Sequence, residues 1–126
     1  MTESKEEVID HVSRVVYAEA RGEVYVGKLA VAWVIKNRLN HPRKIYGRTI
    51  ASVTRKGQFA KWIKPIDDEK AWKECIEAAN GVFYGTNTDP TGGATHFLSG
   101  KANPDWAKNK KPVVTIGGHR FFNNID

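Results

Sequence analysis

A glutamate at position 19 stands where the sequence pattern predicts an apolar residue. Glu19 follows Val8 by eleven residues, so at about 100° per residue the two side chains lie within roughly 20° of each other on one helix face. Val12 and Val15 fall in the same narrow arc. A carboxylate at the end of an apolar stripe is expected to be paired, hydrogen-bonded or functional, because burying it alone is costly.

A half-buried carboxyl group has a specific chemical use. Burial raises the pKa of a carboxyl group, and an acid that keeps its proton near neutral pH can donate it to a poor leaving group. Cleavage of a glycosidic bond needs such a donor, because a sugar alkoxide leaves poorly. The placement of Glu19 therefore predicts an acid catalyst of glycoside cleavage. The alternative is a structural ion pair with Arg21 at the edge of the helix.

A second carboxylate, Glu23, follows four residues later. On a continuous helix it would share a face with Glu19, and glycoside hydrolases often use two carboxylates. Gly22, however, favours a break between them. Glu23 is then a second catalytic group, a positioning residue, or a negative charge that the dipole of the next helix favours at its start. We favour the last two readings together.

Two helices must position these carboxylates. Ser4 and Glu7 have the spacing of a capping box ahead of a helix over 5–20. A second helix is predicted over 26–39; it is apolar nearly all round, as is typical of a helix at the centre of a domain. Pro42 ends it, because the residue before a proline avoids the α region.

The rest of the chain changes from helical to extended patterns. The remaining predicted elements are a short helix over 49–54, a long helix from just after Asp67 to near Gly81 or Gly85, and extended stretches over 94–98 and 113–122. A loop containing Trp106 joins the two extended stretches. We therefore predict an α+β fold with a mostly helical body and a small β or irregular C-terminal part.

Length and composition favour a single domain, which we expect to be catalytic, spanning residues 1–126. Cys75 is the single cysteine, so no intrachain disulfide is expected. The polar N-terminus lacks a signal-peptide pattern, and no apolar stretch approaches the roughly 20 residues of a membrane span. We expect a monomer that is synthesised in the cytoplasm and is not inserted into a membrane.

The net charge of +6 predicts attraction to polyanions. The candidates are nucleic acid, anionic membrane and bacterial wall polymers such as teichoic acids, and charge alone does not choose among them. The basic run of Lys108, Lys110 and Lys111 is either a solvated loop or a contact with such a wall polymer. No helix-turn-helix, RRM or zinc signature is present, which disfavours a nucleic-acid partner.

The string Glu-Ala-Arg-Gly-Glu at 19–23, followed by Gly27 and by Val-Ala-Trp-Val-Ile-Lys-Asn-Arg at 31–38, resembles the cell wall hydrolase family of spore cortex-lytic enzymes and related phage endolysins. The resemblance continues with Gln58–Phe59 and with the segments 91–97 and 116–122, so that it covers nearly the whole chain. Ala60 departs from the pattern, because relatives tend to carry a small hydroxyl residue there.

The resemblance implies a lysozyme-like α+β domain that cleaves peptidoglycan between N-acetylmuramic acid and N-acetylglucosamine. Some members of the family are lytic transglycosylases, which need one acid/base glutamate and leave a 1,6-anhydro end. Carried over to this chain, that glutamate is Glu19. The lack of a visible secretion signal or wall-binding module favours a phage endolysin, or a catalytic domain used alone, over a secreted spore enzyme. Whether the substrate is vegetative wall or spore cortex stays open.

Other side chains are candidates for a supporting role. We expect the substrate-binding or supporting set to be Glu23, Arg38, Gln58, Phe59, Phe97 and His119. Asn37 and Arg38 either hold the Glu19 segment or cap a helix end. Two or three members of an aromatic set are expected to line a saccharide groove; the set is Tyr17, Phe59, Trp62, Phe97 and Trp106. No metal site or cofactor is expected, because the spacing of His96, His119 and Cys75 is not ligand-like.

Three alternatives remain open. A hydrolytic muramidase of the same fold would use water in place of the internal sugar hydroxyl. A non-catalytic wall-binding protein would share the fold and the charge. A nucleic-acid-binding module would explain the charge and the aromatic residues, but it would leave the position of Glu19 unexplained.

Overall fold

The computed structural model describes residues 3–54, 66–123 and 125. Its helices are α1 (Lys5–Ala20), α2 (Tyr25–Leu39), α3 (Ile50–Val53) and α4 (Glu69–Phe83). Its strands are β1 (His96–Ser99), β2 (Val114–Ile116) and β3 (His119–Phe122), with a single 3₁₀ turn, Asp105–Ala107, between β1 and β2. The predicted α+β class with a helical body is confirmed. No helix among the described residues has both the length and the apolar character to cross a bilayer.

Helix α1 has the predicted bounds and the predicted start. Ser4 accepts a hydrogen bond from the Glu7 amide at 3.1 Å, and the Glu7 carboxylate accepts one from the Ser4 amide at 3.0 Å. This reciprocal capping box satisfies two amides that the first turn leaves without intrahelical partners. The predicted stripe of Val8, Val12 and Val15 is buried.

Helix α2 is the central helix and packs against both α1 and α4. Its buried residues include Val31, Val34 and Ile35, so the apolar pattern correctly predicted a buried helix. It begins one residue earlier than predicted, at Tyr25, and ends at Leu39.

Helices α3 and α4 begin at capping side chains. Thr49 accepts from the Ser52 amide at 3.1 Å, and Asp68 accepts from the Ala71 amide at 3.0 Å. Cys75 lies in the buried face of α4. Burial raises the pKa of its thiol to about 12, so Cys75 is a neutral core residue at physiological pH.

The three strands form an antiparallel sheet in the order β1-β3-β2. The two stretches predicted as extended, 94–98 and 113–122, do pair, through β1 and β3. The second stretch is not continuous, because the chain reverses at Gly117–Gly118 and forms the hairpin of β2 and β3. Gly117 has φ 57°, a left-handed conformation that glycine adopts at little cost.

The two faces of the sheet have different surroundings. Phe97 and Phe121 are cross-strand partners and belong to the core shared with the helices. On the opposite face, Trp106 packs with ring centroids 5.0 Å from His96 and 5.2 Å from Phe122. The loop between β1 and β2 is therefore anchored to the outer face, and the inner face is directed at the helices.

Candidate functional site

Glu19 lies in the last turn of α1 and is half-buried. Its neighbours Val15, Val16 and Ala20 are buried, so the carboxylate stands at the end of the apolar stripe, as the pattern predicts. The Glu19 side chain thus combines a buried apolar surround with partial access to solvent. This geometry suits a group that exchanges a proton with a ligand.

The end of α1 is fixed by the side chain of Tyr17. Its hydroxyl donates to Asp67 Oδ1 at 2.9 Å and accepts from the amides of Asp67 and Asp68 at 3.2 and 3.1 Å. Arg21 Nη1 lies 3.1 Å from Asp67 Oδ1. These contacts attach the last turn of α1 to the start of α4. Tyr17 is fully buried, so it is a core residue and not one of the two or three aromatic residues expected to line a groove.

Glu23 lies in the turn between α1 and α2 and reaches the β2–β3 hairpin. Its Oε1 accepts a hydrogen bond from the Gly118 amide at 3.0 Å. A Cβ at Gly117 would lie 2.1 Å from Glu23 Oε1, and one at Gly118 would lie 3.0 Å from Oε2. A Cβ at Gly27 would lie 2.9 Å from the Glu23 Cβ. Three glycines therefore leave room for this one side chain.

Lys28 is a buried cation beneath the same turn, and the sequence analysis missed it. Its side chain is 2% exposed, and Nζ lies 3.0 Å from Glu74 Oε1 of α4. Nζ also donates to the carbonyl oxygen of Glu23. The ammonium group thus connects α2 to α4 and to the turn that carries Glu23. The signal in the sequence was a lysine within a helix that is otherwise apolar nearly all round.

Asn37 and Arg38 hold the segment that precedes β1. Asn37 Nδ2 donates to Asp89 Oδ2 at 3.0 Å and to the Ala94 carbonyl at 2.9 Å. Arg38 is buried, and its Nε donates to the Thr95 carbonyl at 2.6 Å. These bonds direct both side chains to the C-terminal part of the chain. A direct role at the Glu19 segment stays a prediction.

Phe97 and His119 lie together on the inner face of the sheet. Their ring centroids are 5.1 Å apart in an edge-on arrangement, and His119 is buried. Within the described part of the chain, His119 Nδ1 has no hydrogen-bond partner. Because His119 follows Gly118, the structure brings Phe97 and His119 close to the Glu23 contact.

Two predicted supporting residues, Gln58 and Phe59, lie outside the described residues, as does Trp62. Trp106, another aromatic candidate, is half-buried on the outer face of the sheet. The described ranges contain no group of three or more histidine, cysteine, aspartate or glutamate side chains placed to hold a metal ion.

A helical body with a small antiparallel sheet, and with a half-buried glutamate in the last turn of α1, defines a lysozyme-like α+β domain. The cell wall hydrolase family model matches residues 22–122. The chain belongs to this family. The matched span begins three residues after Glu19, so that match does not itself include the candidate acid.

Curated relatives and solved structures resemble the chain over most of its length. It is 36% identical to the spore cortex-lytic enzyme of Halalkalibacterium halodurans, over 91% of this chain and 34% of that protein. It is also 36% identical to that of Oceanobacillus iheyensis, over 90% of this chain and 40% of that protein. The chain thus spans well under half the length of these relatives.

Two solved catalytic domains share the fold. That of the Bacillus cereus SleB protein matches with TM-score 0.75 and 28% identity, over 98% of this chain and 94% of that one. That of the germination-specific lytic transglycosylase SleB from Bacillus anthracis matches with TM-score 0.67 and 29% identity, over 96% and 97% of the two chains.

Replacement of Glu23 separates a positioning role from a catalytic one. Glu23→Ala removes the acceptor of the Gly118 amide, and we expect a stability loss of about 1 kcal/mol. Glu23→Gln keeps an acceptor oxygen of the same reach, and we expect stability within about 0.5 kcal/mol of the parent. Urea unfolding measures both values, and clearing of a peptidoglycan suspension measures activity. A fully stable but inactive Glu23→Gln protein would make Glu23 a catalytic group.

Two glycines with the same backbone conformation provide a matched test of the Glu23 contact. Gly117 and Gly100 have φ of 57° and 58°, so alanine costs each about 1–2 kcal/mol in backbone strain. An added Cβ at Gly100 meets nothing within 4 Å. We expect Gly117→Ala to lose about 1 kcal/mol more than Gly100→Ala, because it displaces the Glu23 carboxylate.

A double-mutant cycle measured by urea unfolding checks the origin of that extra loss. In a Glu23→Ala background, Gly117→Ala and Gly100→Ala should cost the same. An undiminished difference between them in that background would show that the contact with Glu23 is not the cause.

Removal of the Lys28 ammonium should destabilise the fold. Lys28→Met leaves the Glu23 carbonyl and the Glu74 carboxylate without this donor, and we expect a loss of about 1–3 kcal/mol. The value is moderated because Glu74 is 30% exposed and water can solvate it. Lys73→Met, at an exposed position of α4, is the control and should change stability by less than about 0.5 kcal/mol.

A second replacement tests whether charge pairing causes the loss. Lys28→Met combined with Glu74→Leu should be more stable than Lys28→Met alone, because no carboxylate is left without its partner. Chemical unfolding of the three proteins gives the comparison. A double variant that is less stable than the single one would show that packing, and not the ion pair, is what Lys28 contributes.

Proposed function

We propose that this chain cleaves the glycan strand of peptidoglycan between N-acetylmuramic acid and N-acetylglucosamine as a lytic transglycosylase, with Glu19 as its acid and base. The observation that carries the proposal is the contrast between two nearby carboxylates. Glu19 is half-buried at the end of an apolar stripe, whereas Glu23 binds the Gly118 amide in a space lined by glycines.

The proposed reaction needs one carboxyl group. The protonated Glu19 donates its proton to the glycosidic oxygen while the bond from that oxygen to C1 of the muramic acid breaks. The resulting carboxylate then takes the proton of the C6 hydroxyl of the same sugar, and the C6 oxygen bonds to C1. The product is a 1,6-anhydromuramyl end, no water is consumed, and Glu19 is again protonated.

Family membership and the activities of the relatives, as their names state them, support the substrate class. Spore cortex-lytic enzymes and a germination-specific lytic transglycosylase are among the proteins that the chain resembles. Hydrolysis by the same acid is the runner-up: a water would replace the C6 hydroxyl, and a second carboxylate would activate that water. We place the action of the protein at the bacterial wall or spore cortex, with synthesis in the cytoplasm.

Glu19→Gln should lower the rate of peptidoglycan cleavage by about 10²- to 10⁴-fold, because the amide cannot donate or accept the proton. Glu6→Gln, which removes an exposed carboxylate from the first turn of the same helix, is the matched control and should keep full activity. Near-ultraviolet circular dichroism verifies that both variants fold. Equal activity of the two variants would remove Glu19 from the mechanism.

Mass spectrometry of the soluble products distinguishes the two mechanisms. Transglycosylation gives anhydromuramyl ends and no label from ¹⁸O-water, whereas hydrolysis gives reducing ends that carry one labelled oxygen. Reducing, labelled ends would replace the transglycosylase with a muramidase. Absence of products from a folded wild-type protein on both vegetative wall and spore cortex would favour the non-catalytic wall-binding alternative.

A further inference from the structure

The basic residues of the chain are unevenly distributed. The loop 40–49 carries three basic residues and no acidic one, and the loop 100–113 carries four lysines and one aspartate. These 24 positions therefore hold 7 of the 20 basic residues but only 1 of the 14 acidic ones. Such segregation produces a local positive potential that the net charge alone does not describe.

An aromatic contact brings the two loops together, although they are distant in sequence. The Tyr46 ring from the first loop lies 5.8 Å from His96 of β1, and His96 lies 5.0 Å from Trp106 of the second loop. Arg120 of β3 donates to the carbonyl oxygen of Ala102 and so attaches the start of the second loop to the sheet. Both loops thus border the outer face of the sheet.

Five cations of these two loops have exposed side chains, and we call them together the basic face: Arg43, Lys101, Lys108, Lys110 and Lys111. Lys108 is paired with the lone acid of its loop, Asp105, at 2.9 Å, yet its side chain is 57% exposed. We leave out Lys44, which donates back to the Leu39 carbonyl at 2.8 Å, and Arg48, which borders a separate groove beside Glu3.

We propose that the basic face binds a linear phosphodiester polymer of the bacterial cell wall, of the teichoic acid type, and thereby holds the enzyme at its substrate. The proposal rests on the function proposed above, because a wall-cleaving enzyme meets such polymers attached to the glycan. Lysines on flexible stems are point charges that suit a phosphate without a fixed orientation. Several weak contacts in series raise the effective concentration of the enzyme on the wall.

The same residues disfavour the other polyanions. Membrane-binding loops are rich in outward aromatic side chains; Trp106 instead packs against His96 and Phe122, and the exposed large apolar side chains of the two loops are Ile45 and Val113. Sequence readout of duplex DNA needs a helix or a two-stranded ribbon in the major groove, whereas this basic face consists of irregular loop. A thin and flexible polyanion needs neither an outward aromatic anchor nor a regular element that fits a groove.

Two triple variants with the same net charge test the proposal. The loop variant is Lys108→Gln, Lys110→Gln and Lys111→Gln, and the helix variant is Lys5→Gln, Lys70→Gln and Lys73→Gln, at exposed positions of α1 and α4. Both are built on Glu19→Gln so that binding is measured without cleavage. The probes are Gram-positive walls before and after hydrofluoric acid, which removes phosphodiester polymers and leaves the glycan.

We expect the loop variant to bind intact walls at least tenfold more weakly than the parent, and the helix variant to bind as the parent does. The parent should bind stripped walls at least tenfold more weakly than intact walls. Between about 50 and about 200 mM salt, the slope of log affinity against log salt should be smaller for the loop variant by about 2, because fewer counterions are released. Thermal unfolding confirms that both variants are folded.

Three results would overturn the proposal. Equal losses in the loop and helix variants would mean that total charge, and not the basic face, governs binding. Equal binding of the parent to intact and stripped walls would exclude the phosphodiester polymer. Tighter binding to duplex DNA or to phosphatidylglycerol vesicles than to purified teichoic acid would identify another polyanion. If the Glu19→Gln parent binds as expected but the wild-type protein cleaves nothing, only the proposed function is contradicted.

Discussion

A buried ammonium group beneath the α1–α2 turn is the constraint on which the arrangement of the site depends. A charge that is withdrawn from water must be paired and hydrogen-bonded, or its burial costs several kcal/mol. Lys28 satisfies this requirement with the Glu74 carboxylate and the Glu23 carbonyl. The turn is thereby fixed between two helices, and Glu23 is directed at the Gly118 amide. One buried charge thus couples the helical body to the hairpin of the sheet.

This coupling gives two glutamates in one short motif different chemical environments. The Glu23 carboxylate binds a backbone amide in a space that only glycine can provide at 117. Glu19, four residues earlier, ends a stripe of buried valines. Carboxyl groups of the same type acquire separate roles when their surroundings differ in polarity. The break at Gly22 matters for this reason, because a continuous helix would place both carboxylates on one face.

Local patterns predicted the helices well, because helix starts and apolar stripes are properties of neighbouring residues. The Ser4 capping box and the valine stripe needed no partner from elsewhere in the chain. The role of Lys28 was missed because it depends on Glu74, 46 residues further along the chain. The contacts of Tyr17 could not be predicted either, because its partner Asp67 is 50 residues away. The reversal at Gly117–Gly118 was predicted as continuous strand. The close approach of Glu23, which requires glycine there, depends on a residue far away in the sequence. The roles of Gln58 and Phe59 stay predictions.

The two faces of the small sheet separate the Glu23 contact from the basic loop. The inner face carries Phe97 and His119 beside the Glu23 contact, and the outer face anchors the basic loop through Trp106. Under the proposal above, a polymer held along the exposed lysines would lie on the outer side of the sheet, away from the Glu23 contact with the hairpin. Contacts of this kind are individually weak and screened by salt, so the proposed polymer contacts would break as readily as they form. If both proposals hold, they would keep a small domain on an insoluble substrate between successive cleavages.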